Sequence, residues 1–315
     1  FSASVLEQRT SFPEKIYKIV LKYIAQDVDL KEVFRCAVPD LLTNLILTVN
    51  GWYFKENAPI EIPEGVIVCG LQEAGVKYPH LLESHYNRYT PAAAKDGMIA
   101  LNTAFAQDGL FVYIPKNTVV ERPLQVVNLL RAKADLMAFQ RNLIVVEAGA
   151  QATMLVCDHT LSDNRFLMNN TTEVYLGEGA HLDYYQVQNQ HLGASQINSL
   201  LISEQRNSVF ESNLVTLYGG MIRNNQYVAL NGEGGECHLY GIYILDKSQH
   251  VDNYSYIDHI APHCTSNEHF KGVLDDASVA NFSGCIRVEP DAQKTEAYQA
   301  NNNLLLTDTA TENMP

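Results

Sequence analysis

Apolar and polar residues alternate along most of this chain in short runs, with no long helical stripe. Cys237–Leu245, Val251–Ile257 and Val279–Val288 are the clearest cases. Successive side chains of a strand point to opposite faces, so alternation over so few residues predicts strands. The same pattern predicts strands at Phe111–Ile114, Asn142–Val146, Thr153–Cys157, Thr172–Leu176, His181–Gln188, Ser199–Ser203, Ser208–Tyr218 and Asn225–Leu230. Val119–Leu130 joins them with its start demoted by Pro123. Many short strands without βαβ spacing mean an all-β body.

A corner phrase recurs: a small residue, an acid and a Gly or Ala precede an alternating run. It occurs at Val146–Thr153, Leu176–Leu182, Leu230–Glu236 and, without glycine, at Leu274–Val279. Glycine reaches positive φ at little steric cost, which suits a tight corner. Corners recurring at multiples of roughly 20–30 residues predict a solenoid of β coils. A sandwich with similar hairpins is the competing arrangement, and spacing alone leaves it open.

The first ninety residues differ. Ser11 and Glu14 stand at capping-box spacing, and Ile16, Ile19, Val20, Tyr23 and Ile24 form an apolar stripe through about Ala25. Further helices are expected at Pro79–Tyr89 and Met98–Ala106, with strands at Leu41–Val49 and Gly65–Cys69.

The residues from Gln249 onward resemble the SufB/SufD family of scaffold proteins in SUF iron–sulfur cluster assembly. The resemblance is carried by Gln249-x-x-Asp252, His259-x-x-Pro262, Ser266, Lys271–Asp276, Phe282-x-Gly284-x-Ile286-x-Val288, Asp291–Thr295 and Gln299-x-Asn301-x-Asn303-Leu304-Leu305-Leu306. It extends upstream through Ala100–Gly109 and Val112-x-Ile114-Pro115-Lys116. Val49-Asn50-Gly51 and Ile62–Val66 belong to it too, and these upstream features are closer to SufD than to SufB. It covers nearly all of the chain from about Leu47. It implies a mainly β fold, a right-handed parallel β-helix (solenoid) core at 110–315 with a smaller helical and mixed region at 1–109. It also implies a non-catalytic scaffold subunit that pairs with a SufB-like paralogue and docks a SufC-like ATPase. In isolation, the surface built for a homologous partner is expected to accept a second copy as a homodimer.

In the family the pattern runs on into a further strand, a Cys-x-His-Gly segment and a helical C-terminal region. This sequence ends at Pro315, so none of those residues is carried over. It reads as a fragment, or the ordered part, of something longer. Leu304, Leu305 and Leu306 lie beside the absent segment and are the candidate partner interface, at an edge where a partner strand would add. Plain core leucines are the alternative reading of the three.

Composition narrows the function classes. The chain is 46% hydrophobic and 18% charged, as in globular proteins. A formal net charge of −14 argues against a nucleic-acid or anionic-membrane partner. No 18-residue apolar run or leader is visible, and a cytoplasmic protein is expected. The six cysteines, at 36, 69, 157, 237, 264 and 285, form no CxxC pair and read as reduced thiols.

Candidate chemistry is sparse. His250, Asp252, His259, His263, Cys264 and His269 are the densest set of metal-ligating side chains. On alternating strands they would face different ways, and their spacing matches no ligand motif, so metal ligation is left unassigned. The core lining, where a free cysteine behaves as a small apolar residue, is one place open to Cys285, and its role is left unassigned. Asp275-Asp276 reads as a solvated corner. There is no GxSxG elbow and no GxxxxGK[ST] loop, which removes the serine-hydrolase and ATPase readings. The chain alone is expected to hold no cofactor, an iron–sulfur cluster belonging only to the assembled complex. A β-helix enzyme acting on polysaccharide is the alternative function, because solenoid faces bind extended substrates.

Overall fold

The computed structural model describes residues 42–54 and 60–313. The helix expected from Ser11, and Cys36, lie outside the described residues. The strands are β1 (Asn44–Val49), β2 (Trp52–Phe54), β3 (Ile67–Gly70), β4 (Leu110–Ile114), β5 (Leu124–Leu130), β6 (Leu136–Val146), β7 (Gln151–Thr160), β8 (Phe166–Leu176) and β9 (His181–Asn189). They continue with β10 (Ala194–Glu204), β11 (Val209–Tyr218), β12 (Met221–Leu230), β13 (Glu236–Leu245), β14 (His250–His259), β15 (Thr265–Leu274), β16 (Val279–Val288), β17 (Glu296–Leu305) and β18 (Thr311–Asn313). The α-helices are α1 (Leu71–Lys77), α2 (Pro79–His85) and α3 (Gly97–Phe105).

Two nine-stranded sheets wind together. The first runs β17-β15-β13-β11-β9-β7-β5-β1-β2 and the second β18-β16-β14-β12-β10-β8-β6-β4-β3. Every pairing is parallel except β1 with β2 and β3 with β4. In the first sheet Gln151, His181, Val209, Glu236, Thr265 and Glu296 occupy one column, so a coil takes 27 to 31 residues. Parallel neighbours one coil apart define a β-solenoid and rule out the sandwich.

Each corner from the second sheet to the first carries one residue in the left-handed region. These are Asn117, Gly149, Gly179, Asn207, Gly234, His263 and Lys294. Their backbones form a ladder: Asn117 N donates to Ala148 O, Gly149 N to Glu178 O, Gly179 N to Arg206 O and Asn207 N to Glu233 O. Gly234 N then donates to Pro262 O and His263 N to Gln293 O. Three copies of the corner phrase are this column. The fourth belongs to the opposite corner, where Asp276 has φ 51°, so the phrase marks two columns and not one. Asn, with its short polar side chain, tolerates the same backbone, which is why the glycine signal is broken.

The interior combines an apolar core with amide ladders. Ile114, Val146, Leu176, Leu182, Phe210, Leu230, Leu239 and Leu274 belong to the former. Asn198 donates to Asn224 Oδ1 at 3.2 Å and Asn224 to Asn253 Oδ1 at 3.0 Å, coil to coil. The buried Asp158 carboxylate accepts from Asn128, Gln186 and Gln196 at 2.7–2.9 Å. Such inward polar residues also mask β15 and β17 in the sequence, whose inward positions include Ser266 and Glu268, and Gln299, Asn301 and Asn303.

α3 matches the expected Met98–Ala106 to within one residue at each end, α2 is shorter than the expected stretch, and α1 is not among the expected helices. α2 ends at His85, four residues before Tyr89, and α1 follows β3 directly. Asp96 caps α3 by accepting from Met98 N at 2.7 Å. α1 and α2 place Ala74 and Leu82 on the outer face of the second sheet, over Phe111, Leu143 and Val145. Ile99 of α3 packs there with Leu201 and Tyr227.

Candidate functional site

The alternation of β14 and β15 disperses the suspected metal ligands. His250 and Asp252 face outward, with Nε2 and Oδ1 2.8 Å apart, and share Asn281. His259 turns inward, its Nε2 2.9 Å from Ser266 Oγ, and burial lowers its pKa to about 4, so it is neutral at pH 7. His263 occupies the left-handed corner position, 4.0 Å from Glu233. Cys264 is wholly buried, its Sγ 3.3 Å from Gly232 O, and burial pushes its thiol up. His269 faces outward beside Asn302. Among the described residues no three His, Cys, Asp or Glu side chains converge on a position that could hold a metal ion.

Cys285 is exposed and does not line the core. Gly284 occupies the inward position beside it, so the strand phase turns Cys285 outward. Leu304, Leu305 and Leu306 are 57%, 42% and 55% exposed; Leu304 points outward, and Leu305 shares the inward phase of β17 next to the buried Leu274. Leu304 and Leu305 end β17, the outermost described strand of the first sheet, and Leu306 follows it. Asp276 lies in an exposed corner, as expected.

Two groupings were not visible in the sequence. The first is inside the solenoid. Glu204 accepts from Ser208 Oγ at 3.3 Å and sits against Cys237, while Glu268 accepts from Ser255 Oγ at 2.8 Å. Burial pushes Glu204 far up and Glu268 up to about 7. One carboxyl oxygen of each has no protein partner. Glu204 ends an alternating run in inward phase, and that was the available signal.

The second lies outside the second sheet, under the segment that carries the helices. Arg141 is wholly buried there; its Nε and Nη2 reach Glu173 Oε1 at 2.8 and 2.5 Å, and Nη2 reaches Asn87 Oδ1 at 3.0 Å. Asn87 N donates back to Glu173 Oε2 at 2.7 Å. The Tyr86 and Tyr89 rings flank the guanidinium at 5.4 and 5.7 Å. Burial opposes the charge on Arg141, and the Glu173 carboxylate outweighs it and raises the guanidinium above its ordinary value. A cleft of about 240 Å³ opens beside the pair, lined by Arg88, Tyr89, Tyr175, Ser203 and Tyr227 among others. These groups brace the helical segment against the solenoid; they include no paired nucleophile and base. Among the described residues, no helix is long and apolar enough to cross a membrane.

The chain matches two family models: the SufBD protein N-terminal region over residues 9–126, and the SufBD core domain of SUF system FeS cluster assembly over residues 129–314. It is similar to an iron–sulfur cluster assembly SufBD family protein of Synechocystis sp., with 30% identity over 297 residues, 91% of this chain and 65% of the relative. A chloroplastic SufBD family protein of Arabidopsis thaliana shares 27% identity over 261 residues, 79% of this chain and 46% of the relative. The iron–sulfur cluster assembly protein SufD of Escherichia coli shares 25% over 211 residues, 65% of this chain and 49% of the relative. The chain thus spans about half to two-thirds of the length of these relatives. With a solenoid of the expected kind and a family model matched along most of that solenoid, the chain belongs to the SufBD family of the SUF iron–sulfur cluster assembly system.

Proposed function

We propose that the protein is a non-catalytic scaffold subunit of cytoplasmic iron–sulfur cluster assembly. It pairs with a SufB-like paralogue, docks a SufC-like ATPase and, without its partners, pairs with a second copy of itself. Family membership, matched from residue 9 to residue 314 with a two-residue gap, is the observation that carries this reading. The exposed Leu304, Leu305 and Leu306 are the proposed partner-facing edge. Unpaired strand edges recruit strands, and apolar side chains along them add area to the pairing.

Co-expression of the full-length protein with SufB-like and SufC-like proteins, purified without oxygen, tests this. A heteromeric complex that gains iron and sulfide only when all subunits are present is expected. A protein that ignores both partners overturns the reading. Leu304→Asp should abolish pairing while leaving the fold intact, because its side chain faces outward.

A further inference from the structure

Tyr243, Gly272 and Asn303 stack in register on β13, β15 and β17, all facing inward. Tyr243 is 1% exposed. In most of the solenoid each inward side chain meets its neighbour in the adjacent coil. Here the middle coil has none, and the phenol ring of Tyr243 occupies the space above Gly272. A Cβ at Gly272 would collide with both the Tyr243 ring and Asn303 Oδ1. The hydroxyl of Tyr243 crosses that gap and lies 2.5 Å from Asn303 Oδ1 and 3.1 Å from Asn301 Oδ1, two coils away in the same sheet.

β17 depends on such contacts. Its inward residues before Leu305 are Ala297, Gln299, Asn301 and Asn303. Gln299 fills the space left by Gly284 on the opposite sheet, and Asn301 Nδ2 donates to Glu312 at 3.1 Å. A strand with little apolar inward surface has a weakly specified register, and slipping by one residue exchanges its two faces. Such a slip would turn Leu304 inward. Directional hydrogen bonds from a fixed phenol oppose it. Asn303 Nδ2 has no protein partner; turning that amide about would let it donate to the Tyr243 oxygen and free the phenol proton for Asn301, so either orientation keeps the clamp.

We infer that Tyr243 is a positioning residue for the partner-facing edge: reaching past Gly272, it fixes the register of β17 and so the face on which Leu304 is presented. This rests on the interface reading above for its functional meaning, but the clamp itself does not.

Two variants of the full-length protein separate the claims. Tyr243→Phe keeps the ring that fills the Gly272 gap and removes only the hydroxyl. Hydrogen exchange read by mass spectrometry should show the amides of 299–305 exchanging about fivefold faster, the size expected for one lost hydrogen bond, with the other coils unchanged. Affinity for the SufB-like partner should fall by a similar factor. Exchange and affinity both at the wild-type level overturn the inference, as does acceleration spread evenly over the solenoid. Leu304→Asp is the control for the interface: if it leaves partner binding intact, the interface reading fails, and the exchange arm alone then decides whether Tyr243 clamps β17.

Discussion

The guanidinium of Arg141 and the carboxylate of Glu173, on neighbouring strands of the second sheet, meet at 2.5 Å with 0% and 5% of their side chains exposed. The two ends of the bridge are tied to the helical segment by Asn87. Removing one partner of such a pair strands a charge. Glu173→Ala should cost about 3–5 kcal/mol in chemical denaturation. Replacing both residues with apolar ones of similar volume, as in Arg141→Met with Glu173→Leu, should cost much less. Equal losses for the single and double variants would show that the pair contributes by packing and not by charge.

Two inward glycines, Gly241 and Gly272, make room for aromatic rings. At Gly241, whose backbone is not left-handed, a Cβ would collide with the Phe270 ring one coil on. Gly241→Ala should therefore destabilise by about 1–3 kcal/mol through overpacking. Phe270→Leu should recover part of that loss in the double variant. Gly97, the first residue of α3, has nothing within 4 Å of a new Cβ, and Gly97→Ala should be neutral or mildly stabilising. Thermal melts of the four proteins check this.

Glu268 sets a pH dependence. Its ordinary value is 4.5, and burial pushes it up to about 7. A carboxyl raised on folding contributes its full stability below the unfolded value and loses it as pH rises through the folded one. Stability should thus decline between pH 4.5 and about 7 and level off above. By the linkage relation this loss is about 3 kcal/mol. Glu268→Gln should flatten that part of the profile in urea titrations run across the range. Asp108, likewise raised to about 6 by burial, accepts from Tyr53 N and Gln72 N at 3.0 Å through its two oxygens, so Asp108→Asn, which keeps one acceptor, should lose a hydrogen bond above about pH 6 and differ little from wild type below it in the same titrations.

The thiols of the described residues divide by burial: Cys237 and Cys264 belong to the solenoid core, whereas Cys69 and Cys157 lie in separate apolar clusters outside it. Cys69, Cys157, Cys237 and Cys264 are buried, and burial raises the last two further out of the reactive range. Cys285 is exposed. Iodoacetamide applied to the native protein should label Cys285 and leave the other four unmodified until denaturant is added, as peptide mass spectrometry would show. Prompt labelling of Cys237 would mean that the interior of the solenoid opens on the labelling timescale.

Much of the fold was readable because it is local. Alternation over a few residues is a property of one strand, and Cys237–Leu245 or Val279–Val288 display it without help from neighbours. The corners are local too: Gly149, Gly179 and Gly234 mark three of them through the backbone each must adopt. The family resemblance, carried by motifs from Val49 to Leu306, extended these local signs to a solenoid. What alternation could not supply is the phase of strands with polar residues on both faces. Alternation leaves the face of Cys285 open for that reason, as it leaves the leucines at 304–306 open between core and edge.

The sequence by itself determined the strand period, the corners and the repeat of about one coil, since all three follow from backbone geometry within a few residues. Only the tertiary structure decided which distant residues meet. Arg141 finds Glu173 because one coil later is one strand away, and Tyr243 reaches Asn303 because Gly272 leaves the path between them empty. Winding converts a separation of about thirty residues into direct contact, and no pattern within a single strand records which side chains that contact will join.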